Sequence, residues 1–402
     1  MPASRVEPKD PLSPRVVELY KFKPYVFTRV DYDQNHATPK PRSGHRIVCN
    51  EGHFYCYGGY NPLLTPDDLN DAVWNRTCPL FAEVWRFDLR RRKWHQLQVD
   101  NIPHVLASNC LSLQGSLLIV FGGTGMPFGN ANSNDVYICD LSKRPLRFQY
   151  VPSFGAQPEP RYGQAIHIDG KYMYVFGGTT GYSYSSDVHR LNLETMFWEE
   201  SYICKGLPHE PRPGYRHEIA VSDRDVFILG GGTSDTCHTL KKLFYFNLDT
   251  HKWSTVETEG DSRVPDLYPR KRKFHTSVMV PDKKEVIIMG GLDIDDFLDD
   301  TWKLDLTTFK WEKIESMTLP LPIDFHATSI TPAGKIYSFG GVIPSVDQGR
   351  RIADVYTAWA CIPPLVEMAL EAVDHYGLLR DVDFLASHIL PTNLINRCLP
   401  RD

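Results

Sequence analysis

The sequence predicts an all-β protein, a six-bladed β-propeller followed by a short C-terminal helical tail. An apolar residue followed by two glycines recurs six times, a four-strand pattern surrounds each copy, and the spacing of apolar residues becomes helical after Pro364. The glycine pairs begin at Gly58, Gly122, Gly177, Gly230, Gly290 and Gly340. Their separations are 64, 55, 53, 60 and 50 residues. A period of this length indicates one structural unit repeated around a ring.

Composition excludes several classes of function. The net charge of −5 provides no basic field for nucleic acid, so we expect no nucleic-acid partner. The nine cysteines contain no CxxC pair, which indicates reduced thiols rather than a disulfide framework. Residues 1–14 lack an apolar signal core, and no apolar run is long enough to span a membrane. We therefore expect a protein of the cytoplasm or nucleus with no membrane partner.

The chain divides into four predicted parts. Residues 1–14 are polar and Pro-rich and are expected to form a disordered leader. Residues 15–40 form an N-terminal segment that closes the last blade, and residues 41–361 form the propeller. Residues 362–402 form the helical tail.

Each repeat predicts four strands in a meander. A short first strand with small and polar residues precedes an apolar second strand that ends at the glycine pair. The third strand alternates around an aromatic residue, as in EVWRFDL from Glu83, and the fourth is centred on an aromatic side chain. The central aromatic residues are Trp94, Phe148, Trp198, Trp253 and Trp311. Glycine permits positive φ and close backbone approach, and the large rings fill the space between neighbouring sheets. Six such units close into a ring with few exposed edges.

The sixth repeat lacks its fourth strand, because Asp354–Cys361 runs directly into Pro363 and Pro364. Val16–Phe27 alternates apolar and polar residues in part, as a strand does. We therefore predict that Val16–Phe27 completes the last blade and locks the ring.

Aligning the first strands by their distance to the glycine pair predicts one residue per blade beside the central channel. These residues are His45, Cys110, Gln164, His217, His275 and His326. The set is too diverse for a ring of metal ligands, so we expect imidazoles bonded to the neighbouring backbone, and no metal or cofactor. The two residues before each should face the mouth of the channel: Ser43-Gly44, Ser108-Asn109, Tyr162-Gly163, Tyr215-Arg216, Lys273-Phe274 and Asp324-Phe325.

The tail has helical periodicity. Its apolar stripe consists of Leu365, Met368, Ala369, Ala372, Val373 and Tyr376. Pro364 suits the start of a helix and Gly377 its end. A second helix is predicted over Val382–Ile389, and a third near Pro391 with Leu394 and Leu399 apolar. From these residues alone, the stripes either dock on the propeller or bind a partner.

The glycine pair, the turn before it and the tryptophan after it together resemble the kelch repeat over about Pro41 to Cys361. The tail resembles two ligase-binding motifs. Pro364, Leu365, Ala369 and Val373 fall at the spacing of the elongin-binding box, with Ala369 where cysteine is usual. Leu390, Pro391 and Leu394 match the cullin-selecting box of cullin-2-type ligases.

The whole chain is similar to the kelch domain-containing protein 10 family. The matching stretches are PRSGHR at Pro41, YGGYNP at Tyr57, FGGTG at Phe121, YGQA at Tyr162, FGGTTGY at Phe176, YRHEIA at Tyr215 and ILGGGTS at Ile228. Members of this family are non-catalytic substrate receptors of cullin-RING ubiquitin ligases and bind C-terminal degrons, notably those that end in glycine. The resemblance implies elongin B/C, a cullin-2-type scaffold with its RING subunit, and substrate C-termini as partners.

A peptide carboxylate needs a fork of hydrogen-bond donors, which arginine provides. Arg216 is the first candidate, followed by Lys273 and Arg161, and Arg272 replaces Lys273 if the alignment slips by one residue. The candidate walls of the pocket are Tyr162, Tyr182, Tyr184, Tyr215, Phe274 and Phe325, and Ser43 and Ser108 are expected to donate hydrogen bonds to the ligand backbone. The loops after the glycine pairs are expected to supply no arginine.

Two other classes of function compete with the receptor. A kelch scaffold would bind signalling or cytoskeletal proteins through the same face without assembling a ligase. An enzyme resembling the copper oxidase that has kelch-type blades would need Cys, Tyr and His converging on one face together with secretion. The diverse residues beside the channel argue against the enzyme.

Overall fold

The computed structural model describes residues 19–32, 36–64, 79–346 and 349–376. They form two units, Pro24–Ile362 and a smaller one that contains residues 19–23 and 363–376. Several predicted features lie outside the described residues. These are the leader 1–14, the helices predicted over Val382–Ile389 and from Pro391, and the cullin-binding residues Leu390, Pro391 and Leu394.

The larger unit is a six-bladed β-propeller, which confirms the predicted fold class. In chain order the strands are β1 Thr28–Arg29, β2 Arg46–Cys49, β3 His53–Tyr57, β4 Val84–Asp88, β5 Lys93–Leu97, β6 Val99–Asp100, β7 Cys110–Gln114, β8 Leu117–Phe121, β9 Val136–Asp140, β10 Leu146–Val151, β11 Phe154–Gly155, β12 Ala165–Asp169, β13 Tyr172–Thr179, β14 Tyr184–Asn192, β15 Phe197–Tyr202, β16 Glu218–Ser222, β17 Asp225–Leu229, β18 Lys242–Asn247, β19 Lys252–Glu257, β20 Thr276–Met279, β21 Glu285–Met289, β22 Leu292–Asp293, β23 Asp296–Phe297, β24 Thr301–Asp305, β25 Lys310–Lys313, β26 Ala327–Ile330, β27 Lys335–Phe339, β28 Val342–Ile343, β29 Arg350–Arg351 and β30 Val355–Trp359.

The blades follow one another along the chain as antiparallel sheets. Blade 1 contains β2–β5, blade 2 contains β7–β10 with β6 added in parallel at its outer edge, and blade 3 contains β12–β15 with β11 added likewise. Blade 4 contains β16–β19, blade 5 contains β20, β21, β24 and β25, and blade 6 contains β26, β27, β30 and β1. A short 3-10 turn spans Glu315–Met317.

The repeated aromatic residues fill the space between sheets, as predicted. Trp94, Phe148, Trp198, Trp253 and Trp311 are all buried, and each belongs to a hydrophobic cluster of the propeller. Their burial removes large apolar areas from water, so these side chains are principal sources of cohesion between blades.

The second glycine of each pair joins its blade to the next one. Its N–H donates to a carbonyl just before the first strand of that blade. The bonds are Gly59 to Leu106 (2.8 Å), Gly123 to Arg161 (2.9 Å), Gly178 to Gly214 (3.0 Å), Gly231 to Arg272 (2.9 Å), Gly291 to Ile323 (2.8 Å) and Gly341 to Arg42 (2.8 Å). All six second glycines have positive φ, which glycine adopts at little cost. The last bond closes the ring between blades 6 and 1.

The N-terminal segment supplies the outer strand of blade 6, but at a different position from the predicted one. The closing strand is β1, immediately after Val16–Phe27, and it pairs antiparallel with β30. Tyr25 extends the pairing by donating its N–H to the carbonyl of Trp359 at 3.0 Å. Pro24 lies in a turn, and the pairing starts only beyond it, which accounts for the shift along the chain.

Two side chains of this segment anchor it in different clusters. Phe27 is buried with residues of blades 5 and 6, and Val30 is buried with residues of blades 6 and 1. Deleting residues 1–32 is therefore expected to lower the melting temperature by roughly 10 °C, because two buried apolar side chains and a strand are lost. Differential scanning fluorimetry measures this, with deletion of residues 1–23 as the control that retains β1. Equal melting temperatures for the two truncated chains would show that residues 24–32 do not lock the ring.

The smaller unit contains the predicted tail helix, α1 Leu365–His375, which begins after Pro364. In the same unit, the hydroxyl of Tyr20 donates to Glu371 at 2.8 Å and the Tyr20 N–H donates to the hydroxyl of Tyr376 at 3.0 Å. The N-terminal segment therefore contacts the helix of the tail, which the sequence did not predict.

The remaining composition-based expectations concern thiols and membranes. The described cysteines are all free thiols, with no disulfide among them. Within the same residues, no helix has both the length and the apolar character needed to cross a membrane.

Candidate functional site

Each blade begins with three consecutive residues at one end of the central channel, which we call the mouth. The first residue, which we call the bridge residue, pairs with the residue that follows the glycine pair of its own blade. The loop before the first strand and the loop after the glycine pair therefore meet on one face in every blade, as predicted. The bridge residues are Ser43, Ala107, Tyr162, Tyr215, Lys273 and Asp324. The next, or collar, residues are Gly44, Ser108, Gly163, Arg216, Phe274 and Phe325. The third, or column, residues are His45, Asn109, Gln164, His217, His275 and His326.

Blade 2 corrects the predicted alignment by one residue. The sequence placed Cys110 in the column and Ser108-Asn109 before it, whereas the structure places Asn109 in the column and Ser108 in the collar. Asn109 lies against Gly123 as His45 lies against Gly59, and Ser108 has the positive φ of a collar residue. Cys110 instead donates its thiol hydrogen to the carbonyl of Gln164 in blade 3. Asn109 precedes Gly122 by 13 residues, the same spacing as from His45 to Gly58, so the spacing and the backbone pairing at the mouth agree on this register.

Backbone hydrogen bonds join the collar residues around the channel at five of the six blade junctions, all except the one between blades 4 and 5. At each of these five, the N–H of one collar residue donates to the carbonyl of the collar residue in the preceding blade. These bonds run from Ser108 to Gly44 (2.9 Å), Gly163 to Ser108 (2.9 Å), Arg216 to Gly163 (2.6 Å), Phe325 to Phe274 (3.0 Å) and Gly44 to Phe325 (3.3 Å). They hold the collar residues at one radius, so their side chains form a common surface.

Large side chains occupy the collar positions of blades 4 to 6 despite an unfavourable backbone. Arg216, Phe274 and Phe325 have φ of 55°, 59° and 49°, whereas Gly44 and Gly163 occupy the same position in blades 1 and 3. Left-handed φ costs a side chain about 1–2 kcal/mol, and such strain concentrates at functional sites. The mouth therefore has a small half in blades 1 to 3 and a bulky half in blades 4 to 6.

Arg216 extends from the bulky half across to the small half. Its guanidinium donates to the hydroxyl of Ser108, lies 4.7 Å from the ring centre of Phe325, and is close to Gly44. The residue is only 6% exposed. Its Nε has no hydrogen-bond partner and it forms no ion pair among the described residues. Burial lowers the pKa of Arg216 to about 9, so it remains a cation at neutral pH.

Five of the predicted aromatic residues form one chain of ring contacts along the mouth. Tyr215 contacts Tyr184 at 5.4 Å, Phe274 at 5.8 Å and Tyr162 at 6.1 Å between ring centres, and Phe274 stacks on Phe325 at 3.9 Å. This arrangement places an apolar wall beside the Arg216 guanidinium, which strengthens electrostatic interactions there by excluding water.

Tyr182 lies apart from this chain. It is exposed, and its hydroxyl donates to Asn130 of the blade 2 loop. Tyr60 and Phe128, whose rings lie 4.9 Å apart, form an aromatic contact that the sequence analysis missed. Tyr60 directly follows a glycine pair, and this position in the sequence could have identified it as a residue of the mouth.

The other predicted cations have different environments. Lys273 is buried and donates to the carbonyls of Thr233 and Ser234, both at 2.7 Å. Arg161 is buried below the mouth, where its guanidinium donates to the carbonyls of Glu159 and Gly177. These bonds commit Arg161 to the scaffold, so it is not available as a carboxylate clamp.

Arg272 has the same structural role as Arg161. It donates to the carbonyl of Gly290 at 3.0 Å and forms a two-point ion pair with Asp300. Arg42 in blade 1 donates to the carbonyl of Gly58 and forms an ion pair with Glu83. An arginine just before a bridge residue therefore supports the glycine pair, and the alternative in which Arg272 replaces Lys273 is wrong.

The predicted serine donors lie at the mouth but already have protein partners. Ser43 donates to the carbonyl of Tyr60 at 3.4 Å and accepts a bond from Arg351 at 3.3 Å, whereas Ser108 accepts one from Arg216. Arg351 lies on β29, after the sixth glycine pair. It corrects the expectation that these loops supply no arginine to the mouth.

The predicted bonding of column imidazoles to neighbouring backbone holds for His45, whereas His326 bonds the Thr276 hydroxyl and His275 has no ring hydrogen bond among the described residues. His45 Nε2 lies 3.0 Å from the carbonyl oxygen of Phe339 in blade 6, and Gln164 donates to the carbonyl of Phe121 at 3.2 Å. Burial lowers the pKa of His217 to about 4 and that of His326 to about 3, so both are neutral at physiological pH. Among the described residues, no group of histidine, cysteine and acidic side chains is suited to hold a metal ion.

A charged layer lies beyond the collar. Arg46 of β2 forms an ion pair with Glu218 of β16 at 3.3 Å and donates to the carbonyl of Asn109. Because blades 1 and 4 are opposite each other in a six-bladed ring, this pair crosses the channel and obstructs passage beyond Arg216. Burial raises the pKa of Glu218.

The kelch-repeat domain of this chain resembles those of known proteins. A model described as the KLHDC2/KLHL20/DRC7 kelch-repeats domain matches residues 74–268. Kelch domain-containing protein 10 of Rattus norvegicus is 40% identical over 340 residues, which cover 84% of this chain and 80% of that protein. The chain belongs to the kelch domain-containing protein 10 family.

The likeness to this family extends across animals. The Homo sapiens member is 40% identical over 342 residues, covering 84% of this chain and 74% of that protein. The Drosophila melanogaster homologue is 35% identical over 383 residues, covering 90% of this chain and 62% of its own length. Family membership confirms the kelch propeller and agrees with the repeats on which the resemblance was based.

The predicted elongin-binding residues lie at the start of α1 and along it. Pro364 immediately precedes α1, and Leu365, Ala369 and Val373 follow one another at helical spacing. Leu365 is 79% exposed, and no residue of α1 is fully buried. The apolar stripe is therefore accessible, at least at its first residue.

Proposed function

We propose that this protein is the substrate-recognition subunit of a cullin-RING ubiquitin ligase and that its propeller binds the C-terminal ends of target proteins at the mouth. The observation that carries the proposal is Arg216, a buried guanidinium that forms no ion pair with an acid among the described residues. A buried cation is costly unless an anion compensates it, so this residue is suited to receive a carboxylate.

The shape of the mouth favours a small terminal residue. Gly44 carries no side chain beside the Arg216 guanidinium, and Gly163 packs directly against Tyr215 of the aromatic wall. The Arg46–Glu218 pair limits how deeply a ligand enters. A terminal glycine fits this arrangement because the carboxylate reaches Arg216 without a side chain against the collar.

The exposed start of α1 supports ligase assembly. Leu365 supplies an accessible apolar side chain at the elongin-box position, and the small residue Ala369 leaves room for close approach by another helix. The family resemblance assigns Leu390, Pro391 and Leu394 to the cullin. In this proposal the complex forms in the cytoplasm or nucleus, and it directs ubiquitination and proteasomal degradation of the bound target.

A C-terminal peptide library tests the binding half of the proposal. The full chain, immobilised, is expected to enrich peptides that end in glycine with a free carboxylate, and amidation of the selected peptides should abolish binding because the anion is lost. Equal affinity for amidated and free peptides would reject the carboxylate clamp. Peptide binding without recovery of elongin B and C would instead support the scaffold function.

A further inference from the structure

The bridge residue of blade 6, Asp324, is a buried acid at the mouth with no assigned role. It is 4% exposed, and its backbone pairs in both directions with Val342, which fixes its position. Its Oδ1 is buried and accepts no hydrogen bond from any described residue. Ser43 and Lys273, the bridge residues of blades 1 and 5, donate side-chain hydrogen bonds to protein carbonyls. The Oδ1 of Asp324 accepts none from the described residues, so it is available to a ligand.

The charged groups that face Asp324 belong to two other elements. Arg351 on β29 and Arg216 in the collar both act on its carboxylate, yet neither forms an ion pair with it among the described residues. Arg351 is bonded to Ser43 and lies over the ring of Tyr60, and Arg216 is bonded to Ser108. Burial outweighs both cations and raises the pKa of Asp324 to about 7.

A peptide end carries the two groups that such a mouth complements. Its carboxylate matches a guanidinium, and the N–H of its last residue is a donor separated from that carboxylate by a single carbon atom. Phe325, next to Asp324 in the chain, lies beneath the Arg216 guanidinium, which brings the acid and the cation to the same part of the mouth.

We propose that Asp324 accepts a hydrogen bond from the N–H of the terminal residue of the peptide whose carboxylate is held by Arg216. This inference rests on the proposed function and defines its substrate more narrowly. The mouth then recognises a carboxylate and an N–H on the same residue, so it accepts a terminal glycine and rejects a terminal proline, which has no N–H. Asp324 is thus a specificity-determining residue for the last peptide bond.

The test replaces that one N–H. The probe is the tightest glycine-ended peptide from the library, compared with an analogue in which glycolic acid replaces the terminal glycine, so that an ester oxygen stands in place of the N–H. The full-length protein is expected to bind the analogue at least about tenfold more weakly, because a hydrogen bond to a charged acceptor is lost. With Asp324→Ala, the two ligands should bind within about twofold of each other.

The controls separate this inference from the proposed function. Asp235→Ala removes an exposed acid from the blade 4 loop on the same face, and it should preserve the full penalty for the ester. An equal penalty in wild type and Asp324→Ala, or no penalty in either, would overturn the role of Asp324 while the carboxylate clamp remained. Failure of every free peptide end to bind would instead overturn the proposed function itself.

The pH dependence of affinity provides a second test that does not depend on the alanine variant. The N–H bonds best to ionised Asp324, whose fraction rises from about 0.09 at pH 6 to about 0.91 at pH 8 for a pKa of about 7. Arg216, with a pKa of about 9, stays largely charged over this range, and His326 stays neutral. Affinity should therefore increase about tenfold from pH 6 to pH 8, and Asp324→Asn should abolish the increase. An affinity that fell over this range would show that the protonated acid binds, contrary to the proposal.

Discussion

Replacing Arg216 with glycine is expected to weaken the binding of free peptide ends at least about thirtyfold without destabilising the propeller. The loss follows from removing one partner of a buried charge pair, which costs about 2 kcal/mol or more. Stability is preserved because glycine adopts a φ near 55° without strain, and Gly44 and Gly163 already have positive φ at this position in blades 1 and 3. Relief of backbone strain offsets the lost contacts with Phe325 and Ser108 to within about 1 kcal/mol.

The measurement is fluorescence polarisation with the glycine-ended probe, accompanied by thermal unfolding of the same samples. Arg92→Gly is the matched control, because Arg92 also has positive φ, at 52°, but lies in the exposed turn between β4 and β5. It should bind the probe as wild type does. Unchanged affinity in Arg216→Gly would exclude Arg216 as the clamp, and a large fall in its melting temperature would show that Arg216 is structural.

Changing Leu365 to arginine is expected to abolish recovery of elongin B and C with the protein while peptide binding continues. Leu365 is 79% exposed at the first residue of α1, so the charge should be tolerated in the isolated protein. In the complex, the same position would enter an apolar groove, where an unpaired charge is strongly unfavourable. Co-purification from cells that express both elongins measures the effect.

Ile362→Arg is the matched control for this experiment. Ile362 is 71% exposed and lies three residues before Leu365, outside the elongin box. It introduces the same charge on a similarly exposed apolar residue, and elongin recovery should remain as in wild type. If both variants kept their elongins, the box assignment would be wrong. If both lost them, the effect of Leu365→Arg could not be assigned to the box.

Local features of the sequence were sufficient for much of the fold. The glycine pairs and the aromatic residues of the fourth strands recur with a repeat of 50 to 64 residues, and the apolar stripe of α1 follows the helical period. Gly59 and Gly341 could be identified as inter-blade positions because only glycine combines positive φ with such close backbone approach. Arg216 could be nominated because counting back from a glycine pair locates the mouth.

Features that depend on distant pairing could not be predicted in the same way. The closing strand is β1 rather than Val16–Phe27, because its position is set by pairing with β30, more than three hundred residues away. The column residue of blade 2 is an exception, because Asn109 precedes its glycine pair by 13 residues, as His45 does, and this spacing identifies it in place of Cys110. Arg161 resembled a ligand-binding residue in sequence, and only its bonds to Glu159 and Gly177 identify it as part of the scaffold.

The six blades could be read from the sequence because one local strand pattern recurs every 50 to 64 residues, and the helical start of the tail could be read from apolar spacing within a few residues. The sequence could nominate residues of the mouth, but their contacts and burial depend on the closed ring. Closing the ring brings Arg216, Asp324 and Arg351 from three different segments to one end of the channel, and it encloses Asp324 without a hydrogen bond to Oδ1 from the described residues. The burial of Arg216 and Asp324 and the absence of an ion pair between them are properties of that closed ring, and the proposed peptide binding rests on both.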